Sequence, residues 1–369
     1  MKPKLCFFMG YGVLFNHERE TGLVDGIYGS EIALYNLALE LTKYYDVYIT
    51  SSNNYPDQKF GELQYLNKTH LTDNTYHFNV MIVWRYMHFF VEYSVTVSDK
   101  TYLWFHDTYG LVWWNFKELP LRGIPLFNNV LPSIDKVVVL CEWHKENIMN
   151  LYSCDESKIT IIGNGLTVPH VQPTAQQRVR HQFIWTSCPI RGLCKLVEFF
   201  PNIIEHFPHA KLHVYRQLDD VTQQNIVKCP HVIYHGFQNN EVIQTAMACS
   251  DFWLYPTDYD ETYCISALEA QRAGCICIAT ARGALPETIE DRGVLLKEAV
   301  YTDQYWQEAL NAIIRLTADE AASEELRKKA MHWANDQSWA ARADAWLKLF
   351  SRSDTCIPRT PRCIRASLV

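Results

Sequence analysis

Glu261 and Glu269 bracket the middle of TDYDETYCISALEAQRAGCICIAT (Thr257–Thr280), with Asp258 and Asp260 just ahead of them. The segment leaves the apolar stretch DFWLYP as a loop and continues as a helical pattern for which Gly274 is a natural C-cap. Eight helical residues rise about 12 Å, whereas the paired carboxyl groups of a glycosidase lie about 5 to 9.5 Å apart. If mostly helical, the step from Glu261 to Glu269 excludes an acid and a nucleophile straddling one glycosidic bond. It suits two carboxylates that hold opposite ends of one elongated ligand. Asp258-x-Asp260 can hold a divalent ion against a diphosphate, but so short a pattern arises readily and a surface turn is the simpler reading.

Other stretches place reactive side chains beside strand ends. Arg191, Gly192 and Lys195 follow the run FIWTS, and an exposed helix charge is the plain alternative for Lys195. His106 and Asp107 end TYLWFHDTYG, where a histidine either bonds a ligand or satisfies its own loop. In GIYGSEIALYNLALEL, Gly26, Gly29 and Ser30 precede a helix with the apolar stripe Leu34, Leu37, Ala38 and Leu41. These glycines would let the backbone approach a phosphate or sugar, and an ordinary helix entry is the alternative. Trp113 and Trp114 in GLVWWNF fit a binding pocket or a core.

The elements that must position these residues read as strands alternating with helices. The first half carries KLCFFM, DVYIT, NVMIVW, TYLWFH, KVVVL and KITIIG; the second carries QFIWTS, AKLHVY, VIYHG, DFWLYP, CICIAT and GVLL. Near-continuous apolar strands imply parallel sheets covered on both faces. The fold class is therefore α/β with two Rossmann-like, doubly wound domains, residues 1–165 and 178–336. Asn164-Gly165, Pro169 and Pro173 mark a linker near 164–178. Open α/β sheets bind ligands at strand carboxyl ends, so an interdomain cleft is the expected active site. A helix over 337–350 has Ser338 as N-cap and could pack back on the first domain; residues 351–369 form a basic, proline-interrupted tail.

The stretch ETYCISALEAQRAGCICIATARGALPETI resembles the retaining glycosyltransferases of family 4, with their E-x7-E arrangement, helix, glycine, apolar strand, Gly-containing loop and PE. That resemblance spans roughly Lys4 to Phe350 and implies the GT-B fold, in which two Rossmann-like domains face a cleft. It implies that the first domain faces the acceptor and the second binds a nucleoside diphosphate sugar as donor substrate. Glu261 would contact donor-sugar hydroxyls, Glu269 the nucleotide ribose, and backbone amides near Thr262 and Tyr263, at the helix start, the diphosphate. Gly29 and Ser30 match the glycine loop of the acceptor domain, and His106 the histidine near the transferring sugar. The family has an early basic residue where this chain has Ser187 and Cys188; Arg191 is then assigned to the diphosphate with Lys195 as second cation. No metal or other cofactor is expected, and retention by same-face attack is implied.

Composition narrows the partners. With 34 basic and 41 acidic residues the formal charge is -7, so no basic footprint for nucleic acid exists. No apolar stretch reaches the roughly 18 residues of a membrane span, and the basic tail allows at most peripheral membrane contact. MKPKLCFFMGYG lacks a small-residue cleavage site and reads as a first strand rather than a leader. Among the 12 cysteines, Cys6, Cys141, Cys275 and Cys277 sit in apolar runs as buried thiols, which favours a reducing cytoplasmic compartment. Three rival readings remain: a sugar-nucleotide epimerase or phosphorylase on the same fold, a nicotinamide dehydrogenase using Gly10 and Gly12, and a sugar- or nucleotide-binding protein with weak or no turnover. The base, donor sugar, acceptor and oligomeric state are not written in these motifs.

Overall fold

The computed structural model describes residues 2–15, 29–73, 75–93, 95–111, 119–167 and 178–351. Gly26, Trp113, Trp114, Pro169, Pro173 and the basic tail lie outside the described residues. Among the described residues one compact unit takes those up to Gly165 together with Trp339–Ser351, and a second takes those from Leu166 to Ser338. No helix among the described residues is long and apolar enough to cross a membrane.

The first unit is built on β1 (Lys4–Phe8), β2 (Asp46–Thr50), β3 (Gln58–Phe60), β4 (Leu63–Leu66), β5 (Phe78–Trp84), β6 (Ser98–Trp104), β7 (Lys136–Val139) and β8 (Ile159–Ile161), in the order β3-β4-β2-β1-β5-β6-β7-β8. All pairings are parallel except β3 with β4, a hairpin turned at Gly61 with φ +58°. This hairpin is absent from the sequence reading, because β3 is three largely exposed residues and β4 is four residues interrupted by Gln64, so neither gives an apolar run. Helix α1 (Gly29–Leu41) buries Leu34, Leu37, Ala38 and Leu41, the stripe that its 3.6-residue period requires.

The second unit contains β9 (Gln182–Trp185), α2 (Leu193–His206), β10 (Lys211–Val214), β11 (Val232–Tyr234), β12 (Phe252–Tyr255), α3 (Ile265–Arg272), β13 (Ile276–Thr280) and β14 (Val294–Leu296). Its strands run β11-β10-β9-β12-β13-β14, all parallel. The order reverses between β9 and β12, and the carboxyl ends of strands at such a reversal are where open α/β sheets bind ligands. Phe183 stacks on Phe252 across that pair at 5.2 Å, and Phe200 closes the face. Gly274, with φ +77°, ends α3: its amide donates to the Gln271 carbonyl at 3.0 Å and that of Cys275 to the Ala270 carbonyl at 2.9 Å. Cys275 and Cys277 are buried free thiols.

The last described helix, α4 (Trp339–Ser351), returns to the first unit. Trp346 packs on Trp104 at 5.4 Å, Phe350 on Tyr102 at 5.3 Å, and Lys100 Nζ donates to the Phe350 carbonyl at 2.6 Å.

Candidate functional site

At the reversal point of the second sheet, the loop after β9 lies against the exit of β12. Gly192 permits this: its φ is +116°, and a Cβ there would sit 2.0 Å from the Pro256 carbonyl oxygen. The short turn Pro189–Arg191 just before it brings Arg191 Nη1 to Glu261 Oε1 at 2.9 Å. The same guanidinium stacks on Tyr259, with Cζ 3.2 Å from the ring centroid. On the first turn of α2, Lys195 Nζ donates to Asp258 Oδ2 at 2.8 Å. Beyond β13, Arg282 Nε reaches Asp260 Oδ1 at 2.8 Å. Asp258, Asp260 and Glu261 thus each face a different cation.

Glu261 is held from several directions. Tyr255, the last residue of β12, donates its hydroxyl to Oε1 at 2.7 Å. The Glu261 carbonyl accepts from the Ala284 amide at 2.7 Å, and a Cβ on Gly283 would lie 2.5 Å from that carbonyl oxygen. The Tyr263 carbonyl accepts from Thr288 Oγ1 at 2.7 Å. With these carbonyls tied sideways, the chain enters a helix only after Cys264, which adopts a left-handed φ of 65°. This corrects the sequence expectation: Thr262 and Tyr263 precede the helix, whose first residue is Ile265. Only Ile265–Glu269 of the Glu261–Glu269 step is helical, so the full 12 Å rise does not describe that pair.

Glu269 has other surroundings. It is half-buried on α3 and accepts from Gln244 Nε2 at 3.3 Å. Burial pushes its pKa up to about 7, with the Arg272 charge pulling the other way. Arg272 Nη2 in turn donates to Gln244 Oε1 at 3.0 Å.

Gly29, Ser30 and His106 belong to the first unit. His106 follows β6 and is buried with its ring 4.4 Å from that of Trp104. Desolvation, then the charges of Arg85 and His144, hold its pKa well below the ordinary value, so the imidazole is neutral. Neighbouring Asp107 grips Arg85 in a two-point ion pair, Nε to Oδ2 at 2.6 Å and Nη2 to Oδ1 at 2.8 Å. Arg85 Nη1 also donates to Ser30 Oγ at 3.1 Å, while Gly29 is the exposed first residue of α1. Arg85 carries a left-handed φ of 63° just past β5, at the point where this sheet also reverses, between β1 and β5. Arg85 and Tyr255 are not among the residues that sequence motifs single out. The signal for Arg85 was a cation set directly after the apolar run NVMIVW; a tyrosine closing an apolar run gave none.

Residues 222–333 match the family described as glycosyl transferases group 1. A comparison with curated proteins found no match. Among solved structures, a sucrose-phosphate synthase from Thermosynechococcus elongatus superposes with a TM-score of 0.70 at 15% identity, covering 95% of this chain and 98% of that one. Anabaena HepE in complex with UDP gives 0.69 at 12% identity, covering 94% and 99%. WaaG, a glycosyltransferase involved in lipopolysaccharide biosynthesis, gives 0.66 at 13% identity, covering 94% and 99%. The chain therefore has the two-domain GT-B fold, and its residues 222–333 carry the pattern of glycosyl transferases group 1.

Proposed function

We propose that this protein is a glycosyltransferase that moves a sugar from a nucleoside diphosphate sugar to an acceptor hydroxyl of a glycan or glycoconjugate, with retention and without a metal ion. The observation that carries the reading is the Arg191–Glu261 pair at the β9/β12 reversal point, on the same segment as the half-buried Glu269. As the anomeric bond breaks, negative charge grows on the departing diphosphate, and preorganised cations stabilise it. In this reading Arg191 supplies one such charge and Lys195, on the first turn of α2, the second. In this reading Glu261 accepts from hydroxyls of the donor sugar and Glu269 from those of the ribose. Neutral His106 donates to or accepts from the transferring sugar. HepE has been crystallised with UDP and with UDP-glucose, which makes UDP the first base to try.

Thermal unfolding with UDP, GDP, ADP, CMP and NAD, each with and without magnesium, tests the reading. One nucleoside diphosphate is expected to raise the midpoint by several degrees at about 100 times its Kd, without magnesium, and Glu269→Ala to cut the shift by about half or more at the same concentration. A shift with NAD alone, or with none of the nucleotides, counts against it. Hydrogen bonds to a charged group are worth about 1.5–3 kcal/mol, so Glu269→Ala should weaken the free nucleotide at least about tenfold. Glu261→Ala should leave that affinity intact while abolishing transfer; equal losses would refute the division of roles.

A further inference from the structure

We infer that Tyr255 is a positioning and specificity residue for the donor sugar: its hydroxyl joins Arg191 in pinning one oxygen of Glu261, so that the other faces a hydrogen-bond-donating substituent of the sugar. This rests on the transferase reading above.

Both donors converge on Oε1, Tyr255 at 2.7 Å and Arg191 at 2.9 Å. Among the described residues no donor reaches Oε2 of Glu261. The Tyr255 ring cannot swing away, because it lies against Trp253 at 4.5 Å and Trp185 at 5.3 Å and is buried. Burial also raises its pKa well above the ordinary value, so the phenol keeps its proton and remains a donor. With the backbone of Glu261 fixed by Ala284, the carboxylate has little freedom left. A phenylalanine would fill the same aromatic slot without the bond; the hydroxyl serves the carboxylate and not the core. An ionised carboxylate only accepts, so its free oxygen selects a sugar hydroxyl or amine over a deoxygenated carbon. Sites built around such a bond discriminate strongly, because loss of the partner leaves a polar group unpaired.

The test is Tyr255→Phe in the full-length protein. The measurements are Kd for the free nucleoside diphosphate, kcat and KM for the donor, the same constants for donors lacking one ring hydroxyl at a time, and Kd for the intact donor in Glu261→Ala and in the double variant Tyr255→Phe/Glu261→Ala. We expect an unchanged nucleotide Kd, a kcat lower by about tenfold, and a wild-type preference for the hydroxylated donor that shrinks about tenfold at one ring carbon only. The double variant should bind the intact donor no more weakly than Glu261→Ala, since a residue acting through another adds nothing once that partner is gone. Losses of donor affinity that add in the double variant, or Tyr255→Phe losses that fall equally on nucleotide affinity, would mean that Tyr255 merely supports the loop. A Tyr255→Phe enzyme with wild-type kcat and preference would overturn the inference outright. A wild type that neither transfers nor hydrolyses any nucleoside diphosphate sugar sinks the transferase reading first and takes this inference with it.

Discussion

Glu261 and Glu269 share a segment but not an environment, and burial sets Glu269 apart. Glu261 has two donors on one oxygen; Glu269 has an amide and a burial that lifts its pKa to about 7. An unfolded glutamate titrates near pH 4.3, so the fold favours the neutral form of Glu269. That contribution to stability is complete below about pH 4 and is lost as pH rises through about 7. Relative to Glu269→Gln, the wild type should therefore lose stability between about pH 5 and 8, which urea unfolding at several pH values would register. Nucleotide affinity should move the opposite way, because only the ionised carboxylate accepts from both ribose hydroxyls. Calorimetric Kd values should improve by up to about tenfold per pH unit below pH 7, and Glu269→Gln should abolish that excess slope. A wild-type pH profile identical to the Gln variant would remove Glu269 from the ribose. The pair is legible in the sequence as two acids eight residues apart. Their different surroundings are not, because Tyr255, Gln244 and Arg191 reach them from other elements.

The loops that aim these carboxylates depend on glycines where a side chain has no room. A Cβ on Gly283, at φ +57°, would collide with the Glu261 carbonyl oxygen and amide nitrogen at 2.5 and 2.6 Å. Neither is the flexible end of a side chain, so the segment itself must shift. Gly283→Ala should cost about 1–3 kcal/mol and reduce transfer by more than that stability loss explains. Gly274→Ala, also at positive φ, meets the guanidinium of Arg178 at 2.6 Å, a side chain that can retreat. It should lower stability with activity per folded molecule intact, which makes it the control in a paired measurement of melting and initial rate. Parallel strands buried on both faces left continuous apolar runs, which is why the strands of the two parallel sheets were readable. The β3–β4 hairpin left no such run, because β3 is exposed and β4 is only four residues long, broken by Gln64. The start of α3 was misplaced because the bonds that delay it come from Ala284 and Thr288, more than twenty residues away.

The path of the chain through its two units has consequences for stability. It leaves the first unit at Gly165 and re-enters it at Trp339, and these residues touch: a Cβ on Gly165 would lie 2.6 Å from the Trp339 amide nitrogen. The first unit is therefore incomplete until α4 supplies Trp346, fully buried beside Trp104 and Tyr102. Among the described residues the second unit lies wholly between Leu166 and Ser338, with its own six-stranded sheet and core. Trp346→Ala removes a large buried aromatic and should cost the first unit about 3–5 kcal/mol. In that variant unfolding should split into two transitions, since the loss falls on one core alone. A bound nucleoside diphosphate should then raise only the upper, second-unit transition, because a ligand stabilises the unit that holds it. The isolated fragment Leu166–Ser338 should likewise fold and show the same nucleotide-dependent shift, while a fragment ending at Gly165 should not fold without α4. Calorimetry of Trp346→Ala with and without nucleotide decides the matter. If both transitions move together, nucleotide binding is not confined to the second unit, and the assignment of the diphosphate to Arg191 and the ribose to Glu269, without help from the first unit, is wrong.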